Sequence, residues 1–357
     1  MKQILCLSIH PWSAMPKRTQ QLMSRFRDVQ ILYFSPAEHW RDRSYRQKGR
    51  KVRPNITAYT LPPLVFPESR WQLPIHINHY KRLAKFIREK AAYHRFRSPL
   101  LWTTCPDQIH LLDHLEYDAL VYDCGQQWDD FPPEWEGGLS HVADVVFAAS
   151  PTLADGLAPC STNIALLPNG VTYPLFSTPQ RNFKNTRPLF GWAGTIRPGL
   201  DLAPVLYAAQ THPDWNFVLL GPKQENPLLP KLSRLPNVLL PGPCSLDQVP
   251  DCLCRCDVLL DLLHTDRPDD GVVPTRLYEY FSTGKPIVSL HWPDQVEQFP
   301  DVVYAAHSKS EFLYMCEQAL SEDPNFVSSR RRNYGANATW SSRADEVMSI
   351  LTTCGLI

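Results

Sequence analysis

Residues 274–286 read Pro-Thr-Arg-Leu-Tyr-Glu-Tyr-Phe-Ser-Thr-Gly-Lys-Pro, which is the pattern of a short helix that begins at a proline. Pro274 suits the first turn of a helix, because it lacks the N–H that such a turn leaves unpaired. The backbone N–H groups of Thr275 and Arg276 then point out of the helix start, where the helix dipole favours an anionic diphosphate. Arg276 adds a permanent charge and paired donors for phosphate oxygens, and Glu279 lies on the same face one turn along. The alternative is an exposed Arg–Glu pair that contributes little to stability.

Short apolar runs alternate with helix-like stretches along the rest of the chain. Strands of a buried parallel sheet give such runs, and the helices between them form the crossovers. The predicted strands are 2–9, 29–34, 56–61, 100–104, 119–122, 145–149, 189–193, 216–220, 238–240, 257–262 and 287–290. The predicted helices are 16–27, 77–96, 107–115, 151–157, 202–210, 275–282, 311–321 and 341–351. The highly basic stretch 41–53 is predicted to be a loop.

The alternation stops between Ser177 and Pro188 and then restarts, and 357 residues suffice for two domains that each bury a core. We therefore expect an α/β fold of two doubly wound, Rossmann-like parallel-sheet domains that face a cleft. The expected limits are 1–178 for the N-terminal domain, 188–335 for the C-terminal domain and 336–357 for a final helical segment. Open sheets of this kind bind ligands at the carboxyl ends of their strands.

The charge of the chain is divided unevenly between its halves. Residues 1–100 carry 20 Lys plus Arg against 5 Asp plus Glu, whereas the remainder carries 16 against 31. No nucleic-acid-binding module is recognisable, so nucleic acid is not an expected partner. The basic half fits an anionic membrane surface or a lipid-phosphate acceptor, and the alternative is a solvated face.

The apolar runs fall short of the roughly 18 residues that a membrane span needs. The first nine residues read as a buried strand, since they lack the small-residue cleavage site of a signal peptide. The single cysteines suit reduced thiols, and the cluster at 244–256 lacks the paired Cys-x-x-Cys spacing of a zinc site. We expect a cytoplasmic protein, peripheral on the inner face of the membrane, with no bound metal.

Four stretches in the same order resemble the retaining GT-B glycosyltransferases, especially the family-four enzymes of bacterial polysaccharide synthesis (glycosyltransferase group 1). They are 143–153, the Pro-Asn-Gly-Val turn within 167–171, the strand and glycine turn at 190–196, and the block 274–286. The last is similar to the family's Pro-x-Lys-x-x-Glu-Tyr-x-x-x-Gly-Lys-Pro pattern. Residues 337–343 look like the start of the family's closing helix, which crosses back to the first domain. The resemblance implies the GT-B architecture, retention of anomeric configuration, and no metal or other cofactor.

The donor site is expected in the C-terminal domain, where the resemblance gives Glu279 the ribose hydroxyls to bind. Gly194 and Gly221 each follow a strand and let the backbone approach the donor, although a plain turn glycine is an equal alternative for Gly221. Arg197 is a second candidate for the diphosphate, or else a solvated loop arginine. The candidate donor-binding residues are Gly194, Thr195, Arg197, Gly221, Pro274, Thr275, Arg276 and Glu279.

The chain departs from the family pattern at the position eight residues before the ribose glutamate. The family has a second carboxylate there that holds the donor sugar, whereas this chain has Gly271. Asp269 and Asp270 substitute for it if the loop is shifted. Arg276 stands where the family has lysine, and it keeps the positive charge.

The acceptor is expected over the carboxyl ends of the N-terminal strands. His10 follows the first strand and is a candidate general base or donor to the acceptor, with a structural turn histidine as the alternative. The stretch after the 119–122 strand supplies carboxylates, of which Asp130 is our catalytic candidate and Asp123 and Asp129 are alternatives. Such carboxylates also cap turns.

The expected activity is transfer of a sugar from a nucleoside-diphosphate sugar to a hydroxyl of a saccharide or lipid-linked acceptor. Two other functions stay open from the sequence. One is a sugar-nucleotide epimerase of the same fold, which needs no acceptor. The other is a degenerate, non-catalytic subunit that binds a nucleotide sugar, for which Gly271 is the main argument.

Overall fold

The computed structural model describes residues 2–63, 73–177, 185–262, 271–290, 296 and 298–357. The strands are β1 (Lys2–Leu7), β2 (Val29–Ser35), β3 (Arg50–Arg53), β4 (Ile56–Thr60), β5 (Leu100–Thr103), β6 (Ala119–Cys124), β7 (Val145–Ala148), β8 (Ile164–Leu166), β9 (Leu189–Ala193), β10 (Asn216–Leu220), β11 (Val238–Gly242), β12 (Val258–Asp261), β13 (Ile287–Leu290) and β14 (Tyr304–Ala306). The α-helices are α1 (Arg18–Met23), α2 (Leu73–Tyr93), α3 (Pro133–Val142), α4 (Pro151–Leu157), α5 (Tyr173–Phe176), α6 (Ala203–Thr211), α7 (Leu229–Leu232), α8 (Gln248–Arg255), α9 (Thr275–Thr283), α10 (Lys309–Leu320), α11 (Pro324–Asn337) and α12 (Trp340–Thr353). Two 3₁₀ helices span Ser44–Arg46 and Pro106–His114.

The chain folds into two compact units. The first comprises Met1–Pro168 together with Ser341–Ile357, and the second comprises Asn169–Trp340. The domain boundary predicted between Ser177 and Pro188 lies partly outside the described residues.

The first unit contains an eight-stranded sheet in the order β3-β4-β2-β1-β5-β6-β7-β8. All its neighbouring strands are parallel except β3 and β4, which are antiparallel. The central strands β5, β6 and β7 are buried along their whole length. Because helices cover both faces of such a sheet, these strands read as continuous apolar runs in the sequence.

The prediction of a loop over 41–53 was wrong for its last four residues. Arg50–Arg53 form β3, which pairs with β4 at the edge of the sheet. The strand consists of Arg50, Lys51, Val52 and Arg53, with only Val52 partly buried, so it carries no apolar alternation. Charged side chains on an edge strand also discourage pairing with another chain.

The second unit contains a six-stranded, wholly parallel sheet in the order β11-β10-β9-β12-β13-β14. Alternate residues of β10 lie in different apolar clusters: Phe217 and Leu219 in one, Val218 and Leu220 in the other. Successive side chains of a strand point to opposite faces, so both faces of this sheet are buried. The two sheets confirm the predicted α/β fold class.

Candidate functional site

Two glycine turns meet at the carboxyl ends of β9 and β10, which are neighbours in the second sheet. Gly194 follows β9 and donates its N–H to the carbonyl of Leu220 at 2.9 Å. Gly221 follows β10 with φ of +138°, a conformation that side chains disfavour. A Cβ at Gly221 would lie 1.8 Å from the carbonyl oxygen of Gly194. Glycine is therefore required at 221 for the two turns to pack, and the sequence prediction of an equivalent turn there fits this geometry.

The start of α9 is held in place by the Pro-Asn-Gly-Val turn. The Asn169 side chain donates to the carbonyl of Val273 at 3.0 Å, one residue before Pro274. Pro274 is extended at ψ of 143° and forms the N-terminal boundary of α9, where no side chain of the described residues caps the helix. Gly271 is buried with φ of +64°, so glycine suits the position where the family has a carboxylate. The substitutes considered from the sequence, Asp269 and Asp270, lie outside the described residues.

Arg276, in the first turn of α9, reaches back to the carboxyl end of β12. Its Nη2 and Nε atoms donate to Oδ1 of Asp261 at 2.7 and 3.2 Å. The other carboxylate oxygen of Asp261 accepts from the Ser289 hydroxyl of β13 at 3.1 Å. The side chains of Arg276 and Asp261 are 16% and 9% exposed, so this ion pair is largely shielded from solvent. Asp261 was not predictable from the sequence, because its partner Arg276 follows fifteen residues later.

The guanidinium of Arg276 also contacts β9. Its Cζ atom lies 5.4 Å from the ring centroid of Trp192, within the range of a cation–π interaction. A Cβ at Gly194 would lie 3.2 Å from Nη1, so this nitrogen faces the first glycine turn. Burial alone would lower the pKa of Arg276, but the carboxylates of Asp261 and Glu279 are among the groups that raise it above its usual value. Arg276 is therefore charged and beside Gly194.

The remaining candidates lie at the start of α9, along it, or in the turn after β9. Pro274, Thr275 and Glu279 are partly buried, and Thr195 is partly buried in the turn after Gly194. Arg197 lies further along the same turn, where its carbonyl accepts from the Asn226 side chain at 2.8 Å. Its half-buried guanidinium forms no ion pair within the described part of the chain. The structure thus places Gly194, Gly221 and Arg276 together, whereas it shows no contact between Arg197 and this group.

His10 follows β1 in the first unit and is an exposed residue. The hydroxyl of Tyr33 donates to the His10 carbonyl at 2.8 Å, and the His10 N–H donates to the Ser8 hydroxyl at 3.1 Å, so its backbone is fixed. Partial desolvation and the Lys17 ammonium lower the pKa of His10. The neutral imidazole is therefore favoured, and it is the form that accepts a proton.

Two of the candidate carboxylates of the first unit differ sharply in environment. Asp123, on β6, is buried and accepts from Nε and Nη2 of Arg18 at 2.9 and 2.8 Å. This ion pair joins β6 to α1 and occupies Oδ1 of Asp123. Asp130 is exposed in the turn before α3. His10 follows β1 and Asp130 follows β6. Because β5 lies between these two strands, β1 and β6 are about 10 Å apart.

Glu136 is a further carboxylate at this edge of the first sheet. Its Oε1 accepts from the Tyr122 hydroxyl at 2.5 Å and from the Cys124 thiol at 3.4 Å. Burial raises its pKa, and the hydrogen bonds from these two donors oppose that rise. The sequence offered no signal for Glu136, because its partners lie on a strand twelve or more residues earlier.

The described residues show no grouping of three or more metal-ligating side chains, and none of their helices is long and apolar enough to cross a membrane. The stretch with alternating cysteines forms α8 and then leads into β12, as predicted for a helix that feeds a strand.

Comparison with known proteins gives consistent matches. The family described as Glycosyl transferase-like matches residues 202–349, which include α9 and Arg276. The Bacillus subtilis (strain 168) protein TuaH, named as a teichuronic acid biosynthesis glycosyltransferase, is 26% identical over 280 residues, or 70% of each chain. An E. coli trehalose-6-phosphate structure bound with UDP-2-fluoro glucose matches with a TM-score of 0.73 and 10% identity, over 98% of this chain and 99% of that one.

Anabaena Alr3699/HepE, in complex with UDP and glucose, matches with a TM-score of 0.69 and 15% identity, over 99% of this chain and all of that one. At such identities the solved structures establish the fold, and the family match and the curated relative establish the class of reaction. The resemblance recognised in the sequence is therefore confirmed: the chain is a glycosyltransferase built on the GT-B fold.

Proposed function

We propose that the chain transfers a sugar from a nucleoside-diphosphate sugar to a hydroxyl of a saccharide or lipid-linked acceptor, with retention of configuration and without a metal. The observation that carries the proposal is the position of Arg276. Its guanidinium lies beside Gly194 at the carboxyl ends of the parallel strands, in the first turn of α9. Parallel α/β sheets bind their ligands at this edge.

The departing nucleoside diphosphate gains negative charge as the glycosidic bond breaks. Arg276 and the first N–H groups of α9 supply positive charge where that happens, which lowers the energy of the transition state. The closely packed turns at Gly194 and Gly221 let the backbone approach the diphosphate. Glu279, one turn further along α9, accepts the ribose hydroxyls.

The names of the similar proteins support a choice of donor and acceptor. UDP is bound in the Anabaena HepE structure, and a UDP sugar is bound in the E. coli structure. TuaH is named for teichuronic acid biosynthesis, which is polysaccharide synthesis. We infer that this chain uses a UDP sugar and extends a bacterial polysaccharide or its lipid-linked precursor.

On the acceptor side, the neutral imidazole of His10 and the exposed carboxylate of Asp130 are the proposed catalytic groups. Both follow parallel strands of the first unit at their carboxyl ends. His10 is fixed through its backbone, whereas its side chain is open to a ligand. Either group is able to accept a hydrogen bond from the acceptor hydroxyl.

The proposal is tested by incubating the protein with UDP-, GDP-, ADP- and dTDP-sugars and measuring thermal stabilisation. We expect UDP sugars to stabilise the wild type and Glu279→Ala to lose most of that stabilisation, because the ribose loses its acceptor. Glu317→Ala, an exposed carboxylate on α10, is the matched control. Absence of stabilisation by every nucleotide class would contradict the proposal.

Turnover separates the alternative functions. An epimerase would convert the donor without any acceptor, and a degenerate subunit would bind the donor without releasing nucleoside diphosphate. A transferase releases the diphosphate at a rate that rises with a saccharide acceptor. Proton NMR of the product then gives its anomeric configuration, and chelator treatment tests the metal requirement.

We also propose that the first unit binds an anionic membrane surface. Three exposed basic side chains define a basic face: Arg41 in the stretch after β2, Arg46 in the 3₁₀ helix and Arg82 on α2. Aromatic rings lie beside these basic side chains. Arg41 lies 4.5 Å above Trp40, which is 55% exposed, and Arg46 and Arg82 both lie within 6 Å of the Tyr45 ring. Basic and amphipathic aromatic side chains together suit the headgroup region of a bilayer.

Charge removal from the basic face is expected to weaken membrane binding. Each basic residue near an anionic surface contributes about 1 kcal/mol, so the triple variant Arg41→Ala, Arg46→Ala, Arg82→Ala should lose about a hundredfold in vesicle affinity. Co-sedimentation with phosphatidylglycerol vesicles measures it, with phosphatidylcholine vesicles as the neutral reference. Lys223→Ala, Lys231→Ala, Arg234→Ala in the second unit removes the same number of exposed charges as a control. Equal losses from both triple variants would contradict the assignment of this face.

A further inference from the structure

The carboxylate of Asp261 has no role in the donor site that the sequence predicted, yet it is the main partner of the arginine at its centre. Nε and Nη2 of Arg276 both donate hydrogen bonds to a single atom, Oδ1 of Asp261 on β12. Nη2 makes one further, long contact of 3.5 Å to the carbonyl of Leu262. Nη1 forms no hydrogen bond to any residue in the described ranges, and it faces Gly194.

Asp261, at the end of β12, is in turn fixed by a residue of the neighbouring strand β13. Its Oδ2 accepts from the hydroxyl of Ser289, which is fully buried on β13. The carboxylate therefore accepts hydrogen bonds through both oxygens and cannot turn away from Arg276 without losing them. Since Trp192 lies against the guanidinium from β9, the position of Arg276 is determined from three neighbouring strands and its own helix.

This arrangement has an electrostatic consequence. A carboxylate 2.7 Å from the guanidinium offsets its charge, so the site attracts a polyanion less strongly than an unpaired arginine would. The product of transfer carries more negative charge than the donor, because its terminal phosphate has a second ionisation with a pKa of about 6. A fixed negative charge beside the arginine therefore weakens the binding of product more than that of donor.

We propose that Asp261 is a positioning residue for the donor diphosphate: it fixes Arg276 with Nη1 toward Gly194 and offsets part of its charge, which favours release of the nucleoside diphosphate. This inference rests on the proposed function, since it takes Arg276 as the diphosphate ligand.

The test compares Asp261→Asn with the wild type by calorimetric titration of UDP and of inorganic pyrophosphate, and by steady-state turnover. Asparagine retains the shape of the side chain and its contacts, because its amide can donate to Ser289, whose hydroxyl already lies 3.3 Å from the Leu290 carbonyl. We expect UDP and pyrophosphate to bind at least fivefold more tightly and kcat to fall at least fivefold. Asp261→Ser removes the same charge with a smaller side chain and is expected to change affinity in the same direction.

A residue that merely supports the fold would weaken binding when replaced, so the sign of the affinity change separates the two roles. The Asp261→Asn effect should also disappear in an Arg276→Met background, because Asp261 acts through that side chain. Unchanged or weaker UDP binding in both folded Asp261 variants would overturn the inference. So would an equal gain in UDP affinity when Asp261→Asn is made in the Arg276→Met background. If the wild type binds no nucleoside diphosphate, both the proposed function and the role of Asp261 are rejected. If the wild type binds UDP and the Asp261 variants bind it with the same affinity, only the role of Asp261 is rejected.

Discussion

Replacing Arg276 with methionine is expected to lower kcat for sugar transfer by about 10²–10³, which is the usual effect of removing one group that stabilises developing charge. Methionine fills similar space beside Trp192 but offers no positive charge to the departing diphosphate. It also leaves Asp261 without its counter-ion, so the diphosphate meets an unpaired carboxylate. Turnover is measured with the nucleotide sugar that stabilises the wild type, and UDP affinity is measured by calorimetry.

Two further variants give this prediction its controls. Arg276→Lys restores the charge without the paired donors, and we expect partial recovery of kcat, because lysine cannot bind Asp261 through two nitrogens. Arg234→Met removes an exposed arginine of the same unit and should leave kcat unchanged. Near-wild-type turnover in folded Arg276→Met would contradict the role of Arg276 as a diphosphate ligand.

The fold was largely predictable because its strands are buried on both faces. Strands such as β6, where every residue is buried, appear in the sequence as short apolar runs between helix-like stretches. The edge strand β3 was missed for the converse physical reason. Its side chains contribute almost nothing to the core. Its pairing with β4 is made by backbone groups, which are the same in every residue type and so are not visible in the sequence.

The candidate site was predictable where backbone geometry demands a particular residue. The glycines at 194 and 221 follow strands, and the packing of their turns leaves no room for a side chain at 221. The partners of charged residues were not predictable, since they depend on which strand ends meet. Asp261 reads in the sequence as the polar end of a strand, and only the tertiary structure brings Arg276 and Ser289 to it. Asp123 shows the same limit, because Arg18 is more than a hundred residues away in the chain.

Removing the carboxylate of Glu322 is expected to destabilise the protein by about 3–5 kcal/mol, because it leaves a buried guanidinium without its counter-ion. Arg331 donates to both oxygens of Glu322 at 2.6 Å, and the two side chains are only 1% and 5% exposed. Nε of Arg331 donates to the Val302 carbonyl at 2.7 Å, and the Tyr304 hydroxyl donates to Glu322 at 3.0 Å. Glu322→Ala removes the acceptor for three of these donors, and the free energy of unfolding is measured by urea denaturation.

The matched control is the exposed pair between Arg330 and Asp301, which lie 3.9 Å apart with side chains 55% and 72% exposed. Asp301→Ala should change the free energy of unfolding by less than about 1 kcal/mol, because solvent screens such pairs. Adding Arg331→Met to Glu322→Ala should recover part of the loss, since an apolar side chain has no charge to leave unpaired. A loss from Glu322→Ala no larger than that from Asp301→Ala would show that water reaches the Arg331 guanidinium, and the double variant would then give no recovery.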